Sequence, residues 1–169
     1  MCRCRQHKIV YGKKCQKIKI KNLPISVVEI PNHPINDMGK RKIEITEDFY
    51  ISGDDAESIK EQTSIRLLGL GNVQITKAGN ELEGEFIGEG DSTNMPKIQW
   101  VPQKTAHEIK MIIPKVLFNG EEFNEESLEE LDVYTEPQYL QLKEGEEIQF
   151  VRFGYCRKDS QNQAIFTHK

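Results

Sequence analysis

Lys17-Ile18-Lys19-Ile20-Lys21-Asn22 decides the fold class, because isoleucine alternates with lysine along it. In an extended chain Ile18 and Ile20 fall on one face and the charges on the other, the period of a half-buried strand. The same signal recurs around 27–30, 42–46, 49–51, 65–67, 73–76, 82–87, 98–101, 108–113 and 148–153. Turn-forming residues separate these runs, as in Pro31-Asn32-His33-Pro34, Ala78-Gly79-Asn80 and Asn119-Gly120. Short strands at regular spacing predict an all-β chain built as small barrels or sandwiches.

Two segments depart from the pattern. Asp54 to Gln62 reads as a short helix, with Asp54 as cap and Glu57 three residues on. Asn124 to Leu131 reads as another, with Leu128 and Leu131 facing inward and Glu125, Glu126, Glu129 and Glu130 on a solvated face rather than in a catalytic or metal site. No repeat period or low-complexity tract divides the chain, so a boundary is expected inside the β-rich stretch, near Pro96. The polar loop Gly88-Glu89-Gly90-Asp91-Ser92-Thr93-Asn94 lacks the Gly-Lys-Ser/Thr ending of a phosphate-binding loop and reads as either a connector or an exposed flexible loop.

With 169 residues, 37% hydrophobic and 30% charged, the chain suits a folded protein with one ordinary core or two small ones. Its longest apolar runs, such as Met111-Ile112-Ile113, fall far short of the roughly 20 residues that span a bilayer. Arg3, Arg5 and Lys8 are followed by no apolar leader region, so a cytoplasmic location is expected. The net charge of -4 hides an asymmetry: Met1 to Lys42 holds eleven Lys or Arg against two acids, while Glu121 to Glu147 holds eleven acids and one Lys. Such a distribution permits a local basic footprint for a polyanion. Cys2, Cys4, Cys15 and Cys156 are expected as reduced thiols. Cys2, Cys4, His7 and Cys15 make a poor zinc set, because a one-residue gap between cysteines strains chelation; no metal site is expected.

Several separated motifs carry a resemblance. Ile30-Pro31-Asn32-His33-Pro34 followed by Asp37-Met38-Gly39-Lys40-Arg41 resembles the opening of the proximal anticodon-binding barrel of glutaminyl-tRNA synthetases and archaeal glutamyl-tRNA synthetases. Ile65-Arg66-Leu67 with Asn72-Val73, Ile98-Gln99-Trp100-Val101, and Asn124-Glu125-Glu126-Ser127-Leu128 are similar to later segments of that family. Ile148-Gln149-Phe150-Val151-Arg152-Phe153-Gly154-Tyr155, then Lys158-Asp159-Ser160, resembles its last strands. The match runs in order from about Lys17 to the end, and Met1 to Cys15 look unrelated. Leu68-Gly69 replaces a polar pair of the glutamine enzymes, so the archaeal glutamate branch fits better.

The resemblance implies two adjoining β-barrels, at 17–96 (proximal) and 97–169 (distal), with 1–16 unassigned. It implies recognition of tRNA(Glu), with tRNA(Gln) as second candidate, by splaying anticodon bases into pockets, where planar and bidentate side chains read the edges. Arg41 is the leading base contact by this likeness, with Gln149 and Arg152 matching the family's Gln-Phe-x-Arg motif. Lys40, Lys42, Arg66 and Arg157 are candidates for backbone or neighbouring contacts. Residues three apart point to opposite faces of a regular strand, so Gln149 and Arg152 require an irregularity between them. Trp100 is expected in the core, and His33 is expected to hydrogen-bond a backbone carbonyl.

No paired-histidine or Lys-Met-Ser-Lys-like motif is present, so no catalytic residue is expected here. ATP and Mg are implied only for a catalytic domain supplied elsewhere, the chain being an excised segment, a split gene product or a truncated reading frame. Two other readings stand beside this one: a ribosomal-protein-like barrel binding 5S ribosomal RNA, and a docking module for a separate catalytic subunit.

Overall fold

A computed structural model describes residues 4–11 and 15–169. In chain order the strands begin with β1 (Arg5–His7), β2 (Ile9–Val10) and β3 (Gln16–Lys21), then the hairpin of β4 (Val27–Pro31) and β5 (Lys40–Glu44), and β6 (Asp48–Ile51). After the helix α1 (Gly53–Ser58) come β7 (Ser64–Leu67), β8 (Gly71–Lys77), β9 (Leu82–Gly88), β10 (Lys97–Ile98) and β11 (Trp100–Pro102). The rest is β12 (His107–Pro114), the small hairpin β13 (Phe118–Asn119) and β14 (Glu122–Phe123), β15 (Leu128–Thr135), a 3-10 turn at Pro137–Gln141, β16 (Glu147–Phe150), β17 (Gly154–Ser160) and β18 (Gln163–His168).

Two sheets of seven strands result, in the orders β10-β7-β8-β9-β3-β6-β11 and β1-β16-β17-β18-β12-β15-β2. In each, the two edge strands are consecutive in the chain. β10 lies parallel to β7 and β11 antiparallel to β6, so one segment with Gln99 at its bend joins both edges of the first sheet. β1 lies parallel to β16 and β2 antiparallel to β15, so Lys8 stands at the equivalent bend of the second. Each sheet thereby curls into a nearly closed barrel and hides its edges.

Alternation builds the cores as the lysine-isoleucine run predicts. Ile18 and Ile20 are buried with Phe49, Ile65, Val73, Leu82 and Trp100 in the first barrel. Ile109, Met111, Val133, Ile148, Phe150 and Ala164 fill the second. Trp100 is a core residue, as expected; it is fully buried, meets Phe49 edge-on at 5.2 Å, and donates from Nε1 to the Leu68 carbonyl at 2.9 Å. Among the described residues no helix is long and apolar enough to cross a membrane.

Three local expectations need correction. Asn124 to Leu131 is not a helix: Asn124 turns the chain, accepting from the Glu126 amide at 3.1 Å, and Leu128–Thr135 is a strand paired with β12 over its whole length. Leu128 and Leu131 share a helical spacing, but Leu131, Val133 and Thr135 also share a strand face, and the long ladder outweighs the local preference. The other helix is real but runs Gly53–Ser58, with no side-chain cap bond. Its N-cap hydroxyl, Ser52 Oγ, instead accepts from the Tyr11 amide at 3.3 Å. Finally, residues 5–7 and 9–10, which look unrelated in sequence, supply two strands of the second barrel.

Candidate nucleic-acid interface

The two closing segments meet where the barrels touch. Lys8 Nζ donates to the Leu68 carbonyl at 2.6 Å and lies 4.4 Å from the centre of the Trp100 ring, so a residue at the bend of one barrel is seated in the other. Burial pushes its ammonium down to about 7, against an upward pull from Glu136 and with a smaller downward push from Arg41. Tyr50 and Tyr134 stack across the barrels at 4.4 Å with an interplanar angle of 7°.

Glu136 organises the seam. It ends the β15 segment just before Pro137 and is fully buried, with Arg41 Nε at 2.7 Å and His7 Nδ1 at 3.1 Å from the same oxygen, Oε1. Arg41 thus forms an ion pair with Glu136 while His7 approaches the same oxygen, and among the described residues Oε2 has no hydrogen-bond partner. Burial alone would raise this carboxyl; the approach of His7 and the charges of Arg41 and Lys8 outweigh it and hold the group below its ordinary range. Arg41 also donates from Nη1 to the Pro31 carbonyl at 2.8 Å.

A groove of about 370 Å³ opens beside this cluster, lined by Arg5, Lys40, Arg41 and Lys42 with His7 and the amides of Asn32, Gln138 and Gln141. No carboxylate lines it. Gln138 Nε2 donates to the Lys42 carbonyl at 2.6 Å, tying the 3-10 turn of the second barrel to β5 of the first. Lys42 keeps one exposed partner, Glu29, at 3.4 Å.

Strand β1 connects the groove to the second cluster. The Gln6 amide donates to the Asn32 carbonyl at 2.8 Å, while the His7 carbonyl accepts from Val151 at 3.2 Å. Gln149 lies opposite Gln6 in register and accepts from its Nε2 at 2.7 Å. Across β16 its neighbour is Tyr155, whose ring stacks on His168 at 4.5 Å. The irregularity that Gln149 and Arg152 require is present: β16 ends at Phe150, and Arg152 sits in the following turn with φ of 69°. Its guanidinium grips Asp55 of α1 with both Nη atoms, at 3.1 Å each, and Nη1 also donates to the Lys97 carbonyl at 2.8 Å.

Arg41 lines the groove and pairs with Glu136, Gln149 pairs with Gln6 of β1, and Arg152 lies outside the groove, in a separate small pocket with Tyr11, Ser52, Asp54, Asp55 and Gln99. Arg66 does not line the groove; it donates to Asn72 Oδ1 at 3.0 Å. Arg157 is exposed on β17 opposite Glu147, at a distance in sequence and sheet from Arg41. His33 differs from expectation: its Nδ1 accepts from the Ile35 and Asn36 amides at 3.1 and 2.9 Å rather than donating to a carbonyl. Asn32 Nδ2 donates to the Met38 carbonyl at 3.0 Å, so the Asn32-to-Gly39 loop is a built structure that delivers Lys40 and Arg41. Cys2 of the zinc set lies outside the described residues. Sequence reasoning missed His7, Lys8, Asp55 and Glu136. For Glu136 a signal existed, a lone acid between the strand run Val133-Tyr134-Thr135 and Pro137; two- and three-residue strands left none for His7 and Lys8.

Residues 13–89 and 97–159 each match a family profile described as the anti-codon binding domain of class I tRNA synthetases (E and Q). A glutamate–tRNA ligase of Nitrosopumilus maritimus is 84% identical over 157 residues, covering 93% of this chain and 28% of the relative. That of Cenarchaeum symbiosum is 48% identical over 153 residues, covering 90% and 27%, and that of Pyrococcus abyssi 30% identical over 165, covering 90% and 26%. The chain therefore spans about a quarter of the length of these relatives. With both barrels matched in order and their seam carrying the motif residues, the chain belongs to the anticodon-binding domains of the class I glutamate- and glutamine-type tRNA synthetases.

Proposed function

We propose that this chain grips the anticodon loop of tRNA, tRNA(Glu) first and tRNA(Gln) as second candidate, as the recognition module of a cytoplasmic glutamate–tRNA ligase whose catalytic domain binds ATP and Mg. The observation that carries the reading is the carboxylate-free groove at the seam, with four Lys or Arg on its walls. Phosphates pass over such a surface without strong overall positive charge, because the cations are gathered where the strand would run. Arg152, in a turn and still half exposed, supplies a planar donor for a splayed base. Gln149 lies beside it in sequence with an amide that can both donate and accept. Arg41 enters through the guanidinium donors that the Glu136 pair and the Pro31 carbonyl do not hold. Lys40, Lys42 and Arg5 serve the backbone.

The test is binding of the chain, at one fixed moderate salt concentration, to tRNA(Glu), to the same tRNA with a substituted anticodon, and to 5S ribosomal RNA. Loss of affinity on anticodon substitution is expected, and Arg41→Ala and Arg152→Ala should each weaken the cognate complex by about 1 to 3 kcal/mol. Equal affinity for all three RNAs would overturn the reading.

A further inference from the structure

The guanidinium of Arg152 has five N–H donors, and the structure accounts for three of them. Asp55 Oδ2 and Oδ1 take one from Nη1 and one from Nη2, each at 3.1 Å, and the Lys97 carbonyl takes the second of Nη1 at 2.8 Å. The two that remain, Nε–H and the outer hydrogen of Nη2, lie side by side on one edge of the plane. Among the described residues neither has an acceptor, so they form an unspent two-donor fork. Its backing is firm: Asp55 is only 16% exposed, whereas Arg152 is 45% exposed.

The backbone is committed to the same end. Arg152 holds φ of 69°, a left-handed conformation that is unfavourable for a residue with a Cβ and that persists only where its surroundings enforce it. Tyr11 donates from its hydroxyl to the Arg152 carbonyl at 3.3 Å and meets Phe153 edge-on at 4.9 Å. Gly154 follows at φ of 147°, where a Cβ would stand 2.7 Å from the His168 carbonyl oxygen. The Asp55 carboxylate comes from the first turn of a helix on the other barrel, so the fork is aimed jointly by both barrels.

We propose that Asp55 is a positioning residue for RNA recognition: it holds two Nη donors of Arg152 so that the Nε and Nη2 edge stands out as a fixed fork for acceptor atoms of an unstacked base. This rests on the reading that Arg152 contacts the anticodon. A flexible arginine loses rotamer freedom on binding, and a guanidinium already clamped has lost it in advance. Asp55 touches no RNA and acts through Arg152 alone.

The test is a double-mutant cycle on tRNA binding by the chain: wild type, Asp55→Asn, Arg152→Ala and the two together, each with tRNA(Glu) and its anticodon-substituted form. Thermal melting of each protein is followed alongside. Asp55→Asn is expected to lose about tenfold or more in cognate affinity and to lose anticodon discrimination, with the double variant no weaker than Arg152→Ala. A merely structural Asp55 would lower the melting temperature and leave discrimination between the two tRNAs intact, which would overturn the proposal. Tighter binding by Asp55→Asn would also overturn it, since the pair would then be a restraint on the arginine. Should Asp55→Asn fail to fold, the swapped pair Asp55→Arg with Arg152→Asp keeps the ion pair across the seam and removes the fork; retained discrimination in that variant would end the proposal. Failure of the underlying reading looks different: Arg152→Ala itself would bind both tRNAs as the wild type does.

Discussion

Replacing Glu136 by glutamine keeps the shape of the side chain and removes the charge that the seam is built around. The structure sets the size of the effect. At 2.7 Å the Arg41 and Glu136 charges attract by about 6 kcal/mol at an effective dielectric constant of 20, and glutamine recovers part of this by escaping the desolvation of a buried carboxylate. Removing one partner of a buried pair costs about 3 to 5 kcal/mol, and Arg41, 8% exposed, would be the charge left behind. That is a large share of the roughly 5 to 15 kcal/mol that holds a domain together. The loss should depend on pH. Glu136 pulls the Lys8 ammonium up and burial has brought it to about 7; without the carboxylate it falls further. A proton that the variant sheds more readily spares it part of the cost at higher pH, so the penalty near pH 6 should exceed that near pH 8 by about 1 kcal/mol. Urea unfolding at both pH values, followed by Trp100 fluorescence and by far-ultraviolet circular dichroism, measures it. A loss under about 1 kcal/mol, or one equal at both pH values, would refute the view that this carboxylate neutralises the seam.

Lys8 itself should leave a mark on the wild type. Its native value lies near 7 and its unfolded value near 10.5, so between them the unfolded chain binds the extra proton and stability rises with pH, by at most about 1.4 kcal/mol per unit. Denaturant titrations from about pH 7 to about pH 9 should show that rise, and Lys8→Met should flatten it; an unchanged slope would count against burial of the ammonium. In RNA binding, Lys40→Ala and Lys42→Ala should each reduce the slope of log affinity against log salt by about 1 without altering anticodon discrimination, as measured by filter binding across a salt series. A change in discrimination would move them from the backbone to the bases.

Sequence period carried most of the fold. Where apolar residues alternate with polar ones between turn residues, as at Lys17 to Asn22 or Leu82 to Ile87, the strand is where the pattern puts it, because one face must be buried. It failed where tertiary pairing chose between two workable periods, at Leu128 to Thr135, and where the element is too short to have a period, at β1 and β2. The site divided in the same way. Arg41, Gln149 and Arg152 came from motif likeness, and the turn between the last two followed from strand geometry. Their partners Gln6 and Asp55 were not legible, and Glu136 offered only its place before Pro137, since each is defined by a contact made across more than ninety residues of chain.

The way the barrels close explains why these contacts fall together. A seven-stranded sheet that is stitched by one bent segment leaves a residue at the bend whose side chain has no place in either strand's alternation; here they are Lys8 and Gln99, each 4% exposed. Both bends lie at the seam, so each barrel's weakest point of closure is covered by the other. Such a joint cannot be wholly apolar, because bends carry polar groups, and it is held by directed contacts: Lys8 to the Leu68 carbonyl, Arg41 to Glu136, Arg152 to Asp55. Apolar packing of the same area would tolerate sliding, whereas paired charges fix one relative placement of the barrels. Arg41 and Arg152 are therefore structural residues of the seam, and the spacing between the donors they offer is set by the same ion pairs that join the barrels. A ligand that spans both sites meets a ruler whose length the fold has already chosen.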